Sequence, residues 1–374
     1  MKIIGAKVFE KEGRFSERDL FVSGQRICRK SEADGEEAID ARGLYAVPML
    51  VDIHFHGCSG VDFCDGTEES IQKIADYQLR SGIGAICPAT MTYPEERLGR
   101  IAEAAAAHVN QAGADLVGIN MEGPFINIEK KGAQNGAYVQ KPDAKMFKRL
   151  QKRAGGLFKL CDIAPETEGA LEVIQELSRE TVVSLAHTCA DYDTAKAAFR
   201  SGASHMTHLY NAMPGISHRE PGPIIAALEA GAEAELITDG IHIHPAVVRA
   251  TFRLFGDDRV ILISDSMMAA GLPDGSYSLG GQDVTVRGPK AVLTQSPETI
   301  AGSVTNLMDC MRTAVLEMGI PLESAVKASS VNPARSIGIQ KDYGSLEEGR
   351  LANILLLDEK LKIVHMIHKG RKIY

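Results

Sequence analysis

The stretch VPMLVDIHFHG, at residues 47–57, is the first of eight apolar, β-branched runs of strand length in a chain of 374 residues. Segments with helical spacing and with acidic or proline starts separate these runs. Eight strands alternating with helices, at about 24–35 residues per unit, predict an α/β fold, a parallel (β/α)8 barrel of the TIM type. The eight runs cover residues 47–57, 85–91, 115–124, 157–166, 181–188, 205–212, 234–242 and 259–267. The helical segments cover residues 67–81, 95–112, 168–180, 191–201 and 244–255, with 303–318 and 322–330 after the eighth strand.

An open, doubly wound sheet is the alternative arrangement of alternating strands and helices. Such a sheet normally carries a glycine-rich phosphate loop after its first strand. The stretch HGCSGVD, which follows the first run here, does not have the GxGxxG pattern. The barrel is therefore the predicted fold.

Short strand patterns flank the barrel at both ends of the chain. The first 46 residues contain three of them, and two more lie at 352–358 and 362–373. We therefore expect residues 1–46 and 344–374 to form one small β-sandwich domain, with the barrel at 47–343. The segment near 272–300, rich in Gly, Asp, Ser and Thr, predicts a β-hairpin insertion.

Composition and charge exclude several classes of protein. The net charge is −8 and there is no run of five or more basic residues, so a nucleic-acid-binding face is not expected. The apolar stretches are too short to cross a bilayer, and the amino terminus lacks the apolar segment of a signal peptide. Seven cysteines, an odd number without a CxxC pair, fit reduced thiols in a cytoplasmic protein.

Imidazole and carboxylate side chains recur at the predicted C-terminal ends of the strands. This is the face on which (β/α)8 barrels carry their chemistry. His and carboxylate groups that converge on one rim are the ligands expected of a divalent metal ion. These residues are His54 and His56 after strand one, Glu122 after strand three, His187 after strand five, His208 and Asn211 after strand six, Asp239 and His242 after strand seven, and Asp265 after strand eight.

Several of these residues also have a purely structural interpretation. An isolated His-x-His pair is more often structural than metal-binding, and His187 by itself could be a core histidine. Their occurrence together at one rim favours the metal site. Because His205 and His208 are three apart, only one of them can face the site, and we choose His208 because it lies nearer the strand end.

The second His-x-His pair, His242 and His244, requires a choice as well. Pro245 opens the following helix, so His244 is expected at the helix cap, whereas His242 is expected to contact the substrate. Asp265 follows the apolar run VILIS, which would bury it unless it met a metal, a proton or a hydrogen-bond donor.

Nearly the whole chain resembles the N-acetylglucosamine-6-phosphate deacetylase family of the amidohydrolase superfamily. HLYNAM followed by HREPG, with DGIH downstream, separates this family from dihydroorotases and ureases, which share only the HxH pair. The matching motifs are DIHFHG (52–57), MEGPF (121–125), KKGAQN (130–135), LAHT (185–188), THLYNAMPGISHREPG (207–222), TDGIHIHP (238–245), ISDSM (263–267), IAGS (300–303), VNPARSIG (331–338) and GSLEEGRLANILLLD (344–358).

The resemblance implies a role for each matching residue. Glu122, His187 and His208 would bind the main metal, Asp265 would act as general base and acid, and His242 would polarise the acetyl carbonyl. Members with Gln in place of His56 tend to hold one metal, so the full pair favours a second ion at His54 and His56 that shares Glu122 or Asp265. Other members have His where this chain has Gln134, and Gln can also donate a hydrogen bond. The expected sugar-phosphate contacts are Ala133, Gln134, Asn211, Ala212, Arg219, His242, Ile300, Ala301 and Gly302.

The implied reaction is hydrolysis of N-acetylglucosamine 6-phosphate to glucosamine 6-phosphate and acetate, in amino-sugar catabolism and cell-wall recycling. One or two divalent ions per chain are expected, Zn²⁺ or Fe²⁺ first, with Co²⁺, Mn²⁺ or Ni²⁺ as alternatives. The expected partners are a small amino-sugar phosphate and a second copy of the chain, and Arg219 would bind phosphate in its own site or in that of the partner. Alternatives are an N-acetylgalactosamine-6-phosphate deacetylase, another amidohydrolase, and a barrel homologue that has lost its chemistry.

Overall fold

The computed structural model describes residues 1–33 and 37–374, so residues 34–36 of the expected small β domain lie outside the described part. Eight parallel strands form a barrel, and we number them one to eight in chain order. Each strand overlaps one of the eight predicted runs, and the predicted (β/α)8 fold is confirmed. The strands are Leu50–Asp52, Ile83–Ile86, Ile119–Met121, Phe158–Ile163, Val182–Leu185, His205–Met206, Glu233–Ile237 and Val260–Ile263.

Hydrogen bonds near the rim close the barrel. Strands three to eight form one parallel sheet, and a bridge between Ala89 and Asn120 connects it to strands one and two and the short strand Asp115–Leu116. Strand eight returns to strand one where Asp265 N–H donates to the His54 carbonyl at 2.9 Å. The first and eighth strands therefore meet at two of the predicted site residues.

An apolar cluster fills the lower part of the barrel. Strands one, two, four, seven and eight contribute residues to this cluster. Strand four is not adjacent to any of the other four strands, so its side chains can reach theirs only across the barrel interior. Alternate residues of a strand share a face. Glu235 and Asp265, each two residues from an isoleucine of this cluster (Ile237 and Ile263), therefore belong to the inward-facing set.

The helices pack on the outside of the barrel. Side chains that accept backbone N–H groups begin several of them, including Thr67, Asp143, Asp191 and Asn306. His244 caps a helix in the same way, as its sequence position predicts. The α-helices are Glu68–Arg80, Glu95–Ala107, Ala144–Arg153, Ala170–Leu177, Tyr192–Arg200, Gly222–Ala230, Pro245–Phe255, Leu307–Leu316, Leu322–Val326 and Asn332–Ser336, with a π-helical turn at Lys327–Val331. The described part of the chain also contains 3₁₀ turns at Lys30–Glu32, Phe63–Asp65, Ile128–Lys130 and Gly136–Tyr138. Among the described helices, none combines the length and the apolarity that crossing a bilayer requires.

Both ends of the chain contribute strands to one sheet outside the barrel. Ile354 and Leu356 belong to a small separate core within this region, whereas Leu355 and Leu357 pack into the main core against the barrel. The run ILLL is therefore apolar at every position because both of its faces are covered. In spatial order the strands are Arg371–Lys372, Ile363–His368, Ile354–Leu357, Tyr45–Pro48, Lys2–Phe9, Phe15–Ser23 and Arg26–Cys28, and Ala38–Asp40 also pairs with Lys2–Phe9.

The insertion after strand eight is a four-stranded antiparallel sheet, whereas the sequence predicts a single hairpin. Each short apolar run in this segment is followed by its own turn, and Gly280, Gly281 and Gly288 have positive φ angles there. Gln282 of the insertion donates its side-chain N–H to the carbonyl of Ala133, so the sheet rests against the loop after strand three. The four strands are Gly275–Leu279, Gln282–Arg287, Lys290–Leu293 and Ser296–Ile300, and a separate short hairpin joins Gly57–Cys58 to Val61–Asp62.

Candidate active site

Glu122 is the centre of the candidate site. The residue lies directly after strand three and is almost fully buried. Its Oε1 lies 2.9 Å from His187 Nε2 and 3.2 Å from His208 Nε2, and the two imidazole nitrogens are themselves 3.2 Å apart. The loops after strands three, five and six thus bring together three ligand atoms that could hold one metal ion.

A second group of ligand atoms shares Glu122. His56 Nε2 lies 3.3 Å from Glu122 Oε2, and His54 Nε2 lies 3.6 Å from Glu122 Oε1. Asp265 Oδ1 completes the arrangement at 3.3 Å from His56 Nε2 and 3.9 Å from His54 Nε2. The structure therefore brings together all six predicted metal ligands around the carboxylate of Glu122.

A buried imidazole nitrogen without a hydrogen-bond partner indicates that these side chains fit a divalent metal ion. His54 Nε2 is completely buried and has no hydrogen-bond partner among the described residues, although it faces two carboxylates. A buried polar atom without a partner costs about 1–3 kcal/mol. Coordination of a metal ion would satisfy this nitrogen, and clustered imidazole and carboxylate donors are the ligands that first-row divalent ions accept.

Three of the six predicted ligands have a left-handed backbone. The φ angles of His187, His208 and Asp265 are +44°, +28° and +48°. Such angles are uncommon outside glycine, and they cluster at functional sites where surrounding contacts hold them. One such contact here is the Ser303 N–H, which donates to the carbonyl of Asp265 at 2.7 Å.

The charges of the site favour ionised carboxylates. Burial raises the pKa of Glu122 and of Asp265, but in each case the neighbouring histidines outweigh it, and the pKa is lowered. Burial conversely opposes the charge on His54, but Glu235 and Glu122 raise its pKa well above the ordinary value. The carboxylates are therefore available as metal ligands and proton acceptors at neutral pH.

Asp239 and His242 form a pair at the end of strand seven. Asp239 Oδ2 lies 2.8 Å from His242 Nδ1, and its other oxygen accepts the N–H groups of Ile241 and His242. This contact leaves the Nε2 atom of His242 for the cavity that the residue lines. His242 therefore has a fixed ring orientation, as a residue that contacts the substrate requires.

A cavity of about 560 Å³ opens above the predicted metal ligands. Most of the predicted substrate contacts line it: Ala133, Gln134, Asn211, Ala212, His242, Ile300 and Gly302. Gln134 is also engaged within the protein, since its side-chain N–H donates to Glu122 Oε2 at 2.8 Å and its carbonyl accepts the Thr92 N–H at 2.7 Å. Gln134 thus connects the cavity to the carboxylate of Glu122.

Two predicted contacts lie elsewhere. Ala301 is completely buried behind the cavity wall. Arg219 lines a separate cleft of about 630 Å³, next to Asp191 and Pro214. Within one chain, the structure does not bring Arg219 into the cavity that contains the metal ligands.

Sequence reasoning did not select Lys130 and Lys131, and both line the cavity. The signal was present in the motif KKGAQN, where two adjacent cations precede the predicted contacts Ala133 and Gln134. The carbonyl of Lys130 also accepts a hydrogen bond from His187 Nδ1 at 2.7 Å, which directs the opposite nitrogen of that ring toward Glu122. The Lys130 backbone therefore helps to hold the ring of His187, one of the predicted metal ligands.

Comparison with known proteins agrees with this geometry. The profile of the amidohydrolase family matches residues 45–373. The N-acetylglucosamine-6-phosphate deacetylase of Bacillus subtilis (strain 168) is 36% identical over 370 residues, which are 96% of this chain and 92% of that protein. The N-acetylgalactosamine-6-phosphate deacetylase of Escherichia coli O157:H7 is 33% identical over 328 residues, which are 87% of this chain and 86% of that protein.

A solved structure covers the whole chain. A point mutant of the N-acetyl-D-glucosamine-6-phosphate deacetylase from Mycobacterium smegmatis, in complex with N-acetyl-D-glucosamine-6-phosphate, superposes with a TM-score of 0.91 at 31% identity, over 100% of this chain and 98% of that one. The chain belongs to the amidohydrolase family, in the group that contains the N-acetylglucosamine-6-phosphate deacetylases.

Proposed function

We propose that this protein removes the acetyl group of N-acetylglucosamine 6-phosphate by hydrolysis, with glucosamine 6-phosphate and acetate as products. The observation that carries the proposal is the carboxylate of Glu122, which touches His187, His208 and His56 below a cavity of sugar-phosphate size. The relatives named above act, by their names, on N-acetylated hexosamine 6-phosphates. Both lines of support point to the same class of substrate.

The metal centre would be held by the six residues of the two ligand groups. A divalent ion there would lower the pKa of water to about 7 and polarise the acetyl carbonyl. We expect one ion at Glu122, His187 and His208, and a second at His54 and His56 that shares Glu122 or Asp265. Zn²⁺ or Fe²⁺ is the proposed occupant, because imidazole with carboxylate suits both ions.

Asp265 is the proposed general base and then the general acid. Its carboxyl lines the cavity beside the metal ligands, and its lowered pKa keeps it ionised and able to accept a proton from the attacking water. The sugar amine is too basic to leave as an anion, so Asp265 returns the proton to the nitrogen as the C–N bond breaks. His242 donates from Nε2 to the carbonyl oxygen and stabilises its developing charge.

The phosphate requires a cation, because the net charge of −8 would otherwise repel a sugar phosphate. Within one chain, Lys130 and Lys131 line the same cavity as Asn211 and Ala212. We propose that Arg219, which lines the separate cleft, supplies its guanidinium to the site of a partner subunit in a homodimer. The loop that carries Arg219 would then complete the neighbouring site.

Hydrolysis of the galactose epimer is the second candidate, because the deacetylase of Escherichia coli O157:H7 that acts on it is 33% identical. Acetate release from the two epimers, in parallel and at equal metal content, distinguishes them. We expect a higher kcat/KM for N-acetylglucosamine 6-phosphate. No acetate from either sugar, with metal bound, would contradict the proposed function.

We further propose a cytoplasmic location and a division into two domains. The separate core formed by the terminal strands supports residues 1–46 and 344–374 as a composite β domain beside a barrel at 47–343. Five buried cysteines that form no disulfide support a reducing compartment: Cys58, Cys64, Cys87, Cys161 and Cys310.

A further inference from the structure

Glu235 is a buried carboxylate that the proposed reaction does not use. It lies in strand seven, is completely inaccessible to solvent, and faces the barrel interior below the metal ligands. A carboxylate in such a position is costly unless hydrogen bonds and opposite charge compensate it. The groups that compensate it therefore indicate its role.

One oxygen atom of Glu235 contacts both groups of metal ligands. Glu235 Oε2 lies 2.9 Å from His54 Nδ1, and the same atom accepts the backbone N–H of His208 at 3.1 Å. His54 belongs to the ligand group with His56, and His208 belongs to the group with His187. A single buried atom thus connects the two halves of the metal centre.

The contact with His54 determines which ring nitrogen can bind a metal. The His54 ring nitrogen that faces Glu235 is Nδ1. Because a carboxylate can only accept a hydrogen bond, Nδ1 must carry the proton of this contact. The lone pair of a neutral ring then lies at Nε2, which is 3.6 Å from Glu122 and 3.9 Å from Asp265. Carboxylates placed in this way behind a ligating histidine orient the ring and raise its affinity for metal.

The contact with His208 acts on the backbone. His208 has a φ angle of +28°, a conformation that requires support from its surroundings. Its N–H group donates to Glu235, and the N–H group of Leu209 donates to the backbone carbonyl of Glu235 at 2.8 Å. Strand seven therefore holds the turn that presents the His208 ring to Glu122.

We propose that Glu235 is the positioning residue of the metal centre: it aligns His54 Nε2 as a ligand and anchors the His208 turn. This inference rests on one part of the proposed function, the binding of a metal ion, and does not depend on the substrate. It goes beyond the rim residues that the sequence indicates, because Glu235 lies inside the barrel and is not among the residues that line the cavity.

Metal affinity, measured without substrate, tests the proposal. Glu235→Asp keeps the negative charge, but its side chain is one methylene shorter, so the carboxylate lies farther from His54. Glu235→Gln keeps an oxygen that can accept a hydrogen bond but loses the negative charge. Glu233→Gln is the matched control, because it lies on the same strand but pairs with Arg335 at the surface. Metal-stripped proteins are titrated with Zn²⁺ against a chelator, and with Co²⁺ to follow its visible absorption.

We expect the Kd of the ion at His54 to rise about 10–100-fold in Glu235→Asp, the range found when such supporting carboxylates are lost. Glu235→Gln should show a smaller rise, of about threefold or more, and the Co²⁺ spectrum should shift in both variants. Glu233→Gln should leave the Kd and the spectrum unchanged. A purely structural role would lower the Tm of the metal-free protein without this change in Kd.

The proposal would be overturned if the Kd stays within twofold of the parental value in both Glu235→Gln and Glu235→Asp. If Glu235→Asp does not fold, an unchanged Kd in Glu235→Gln alone would overturn it. If the parent binds a single ion, the two-ion part of the proposed function is wrong, and the Kd of that ion decides the role of Glu235. Absence of acetate release with normal metal binding would contradict the proposed reaction and leave this inference standing.

Discussion

Asp239 Oδ2 lies 2.8 Å from His242 Nδ1, and this contact assigns the protons of the His242 ring. Since the carboxylate accepts the Nδ1 proton, Nε2 carries a proton only when the ring is the imidazolium cation. Burial opposes that charge, but the hydrogen bond and charge of Asp239, together with Asp265, outweigh it and raise the pKa of His242. The donor to the acetyl oxygen thus depends on Asp239.

Substitution Asp239→Asn should move the alkaline limb of the kcat/KM profile to lower pH. The pKa of His242 is raised in the folded enzyme, so the cation persists above the ordinary value of about 6.5 and is lost as pH rises through the raised pKa. Without the carboxylate this loss occurs at lower pH. A pH profile of acetate release between pH 5 and about 9 measures the shift. An alkaline limb at the parental position would show that His242 does not act as a cationic donor.

Substitution Asp265→Asn should lower kcat by about 10²–10⁴ or more, the effect of losing a general base. The amide keeps the size of the side chain but cannot accept the proton from water. Metal content and circular dichroism are measured alongside turnover, with exposed Asp274→Asn as the control. Near-parental turnover with metal still bound would assign the base to another residue.

Substitution His56→Gln should lower the metal content toward one ion per chain while some activity remains. His56 Nε2 lies 3.3 Å from both Glu122 and Asp265, whereas the group of Glu122, His187 and His208 does not include it. Elemental analysis after exhaustive dialysis gives the ratio. A ratio that does not change, or a single ion already present in the parent, would contradict the two-ion centre.

Substitution Arg219→Ala should raise KM for the phosphorylated sugar about tenfold or more, because hydrogen bonds to charged groups contribute about 1.5–3 kcal/mol. The effect on unphosphorylated N-acetylglucosamine should be smaller. Lys131→Ala, which changes a cation lining the cavity of the same chain, is the comparison variant. An equal loss of kcat/KM on both sugars would indicate that Arg219 supports only the structure of its loop.

Mixed dimers test whether Arg219 acts across subunits. Arg219→Ala subunits, which bind the phosphorylated sugar weakly, and Asp265→Asn subunits, which turn it over slowly, should regain activity at low substrate concentration when they are refolded together. Within a hybrid, the Arg219→Ala subunit keeps Asp265 and receives Arg219 from its partner. If activity is not restored although hybrids form, Arg219 acts in its own chain or not at all.

Substitution Asp115→Asn should destabilise the protein at neutral pH and less so in acid. Asp115 accepts from Tyr343 at 2.7 Å and from Lys369 at 2.5 Å, and it connects the barrel to the terminal strands. Burial raises the pKa of Asp115, but contacts with His368, Lys369 and Tyr343 outweigh it and lower the pKa from 3.8 to about 2. The stabilisation is present above the unfolded value of 3.8 and is lost as pH falls through about 2.

The lowered pKa of Asp115 corresponds to a contribution of about 2 kcal/mol to the free energy of unfolding at pH 7, and to about half of that near pH 3. Thermal unfolding at the two pH values measures the difference in Tm between parent and variant, with exposed Asp193→Asn as the control. A difference in Tm that is as large near pH 3 as at pH 7 would contradict an ionic role for Asp115.

Local sequence patterns determined the barrel and most of its rim. Each parallel strand is covered on both faces, so its apolar run is visible without knowledge of its neighbours. The convergence of His54, Glu122, His187, His208 and Asp265 also follows from sequence, because strand order alone places all strand ends at one rim. The four strands of the insertion are not evident from the sequence. Three consecutive turns on an exposed surface leave only a weak alternation of apolar and polar residues in the segment around Gly288.

Only the tertiary structure decided which groups support the ligands and which cations reach the cavity. Glu235 in ELITDG has the pattern of an ordinary strand residue, and its contact with His54 spans 181 positions of the chain. Likewise, the motif after strand six indicated Arg219 as the cation for phosphate, but the path of each loop over the rim places Lys131 in the cavity and Arg219 in a separate cleft. The physical reason is that periodicity records which face of an element is buried, whereas long-range contacts and loop paths depend on how the elements pack together.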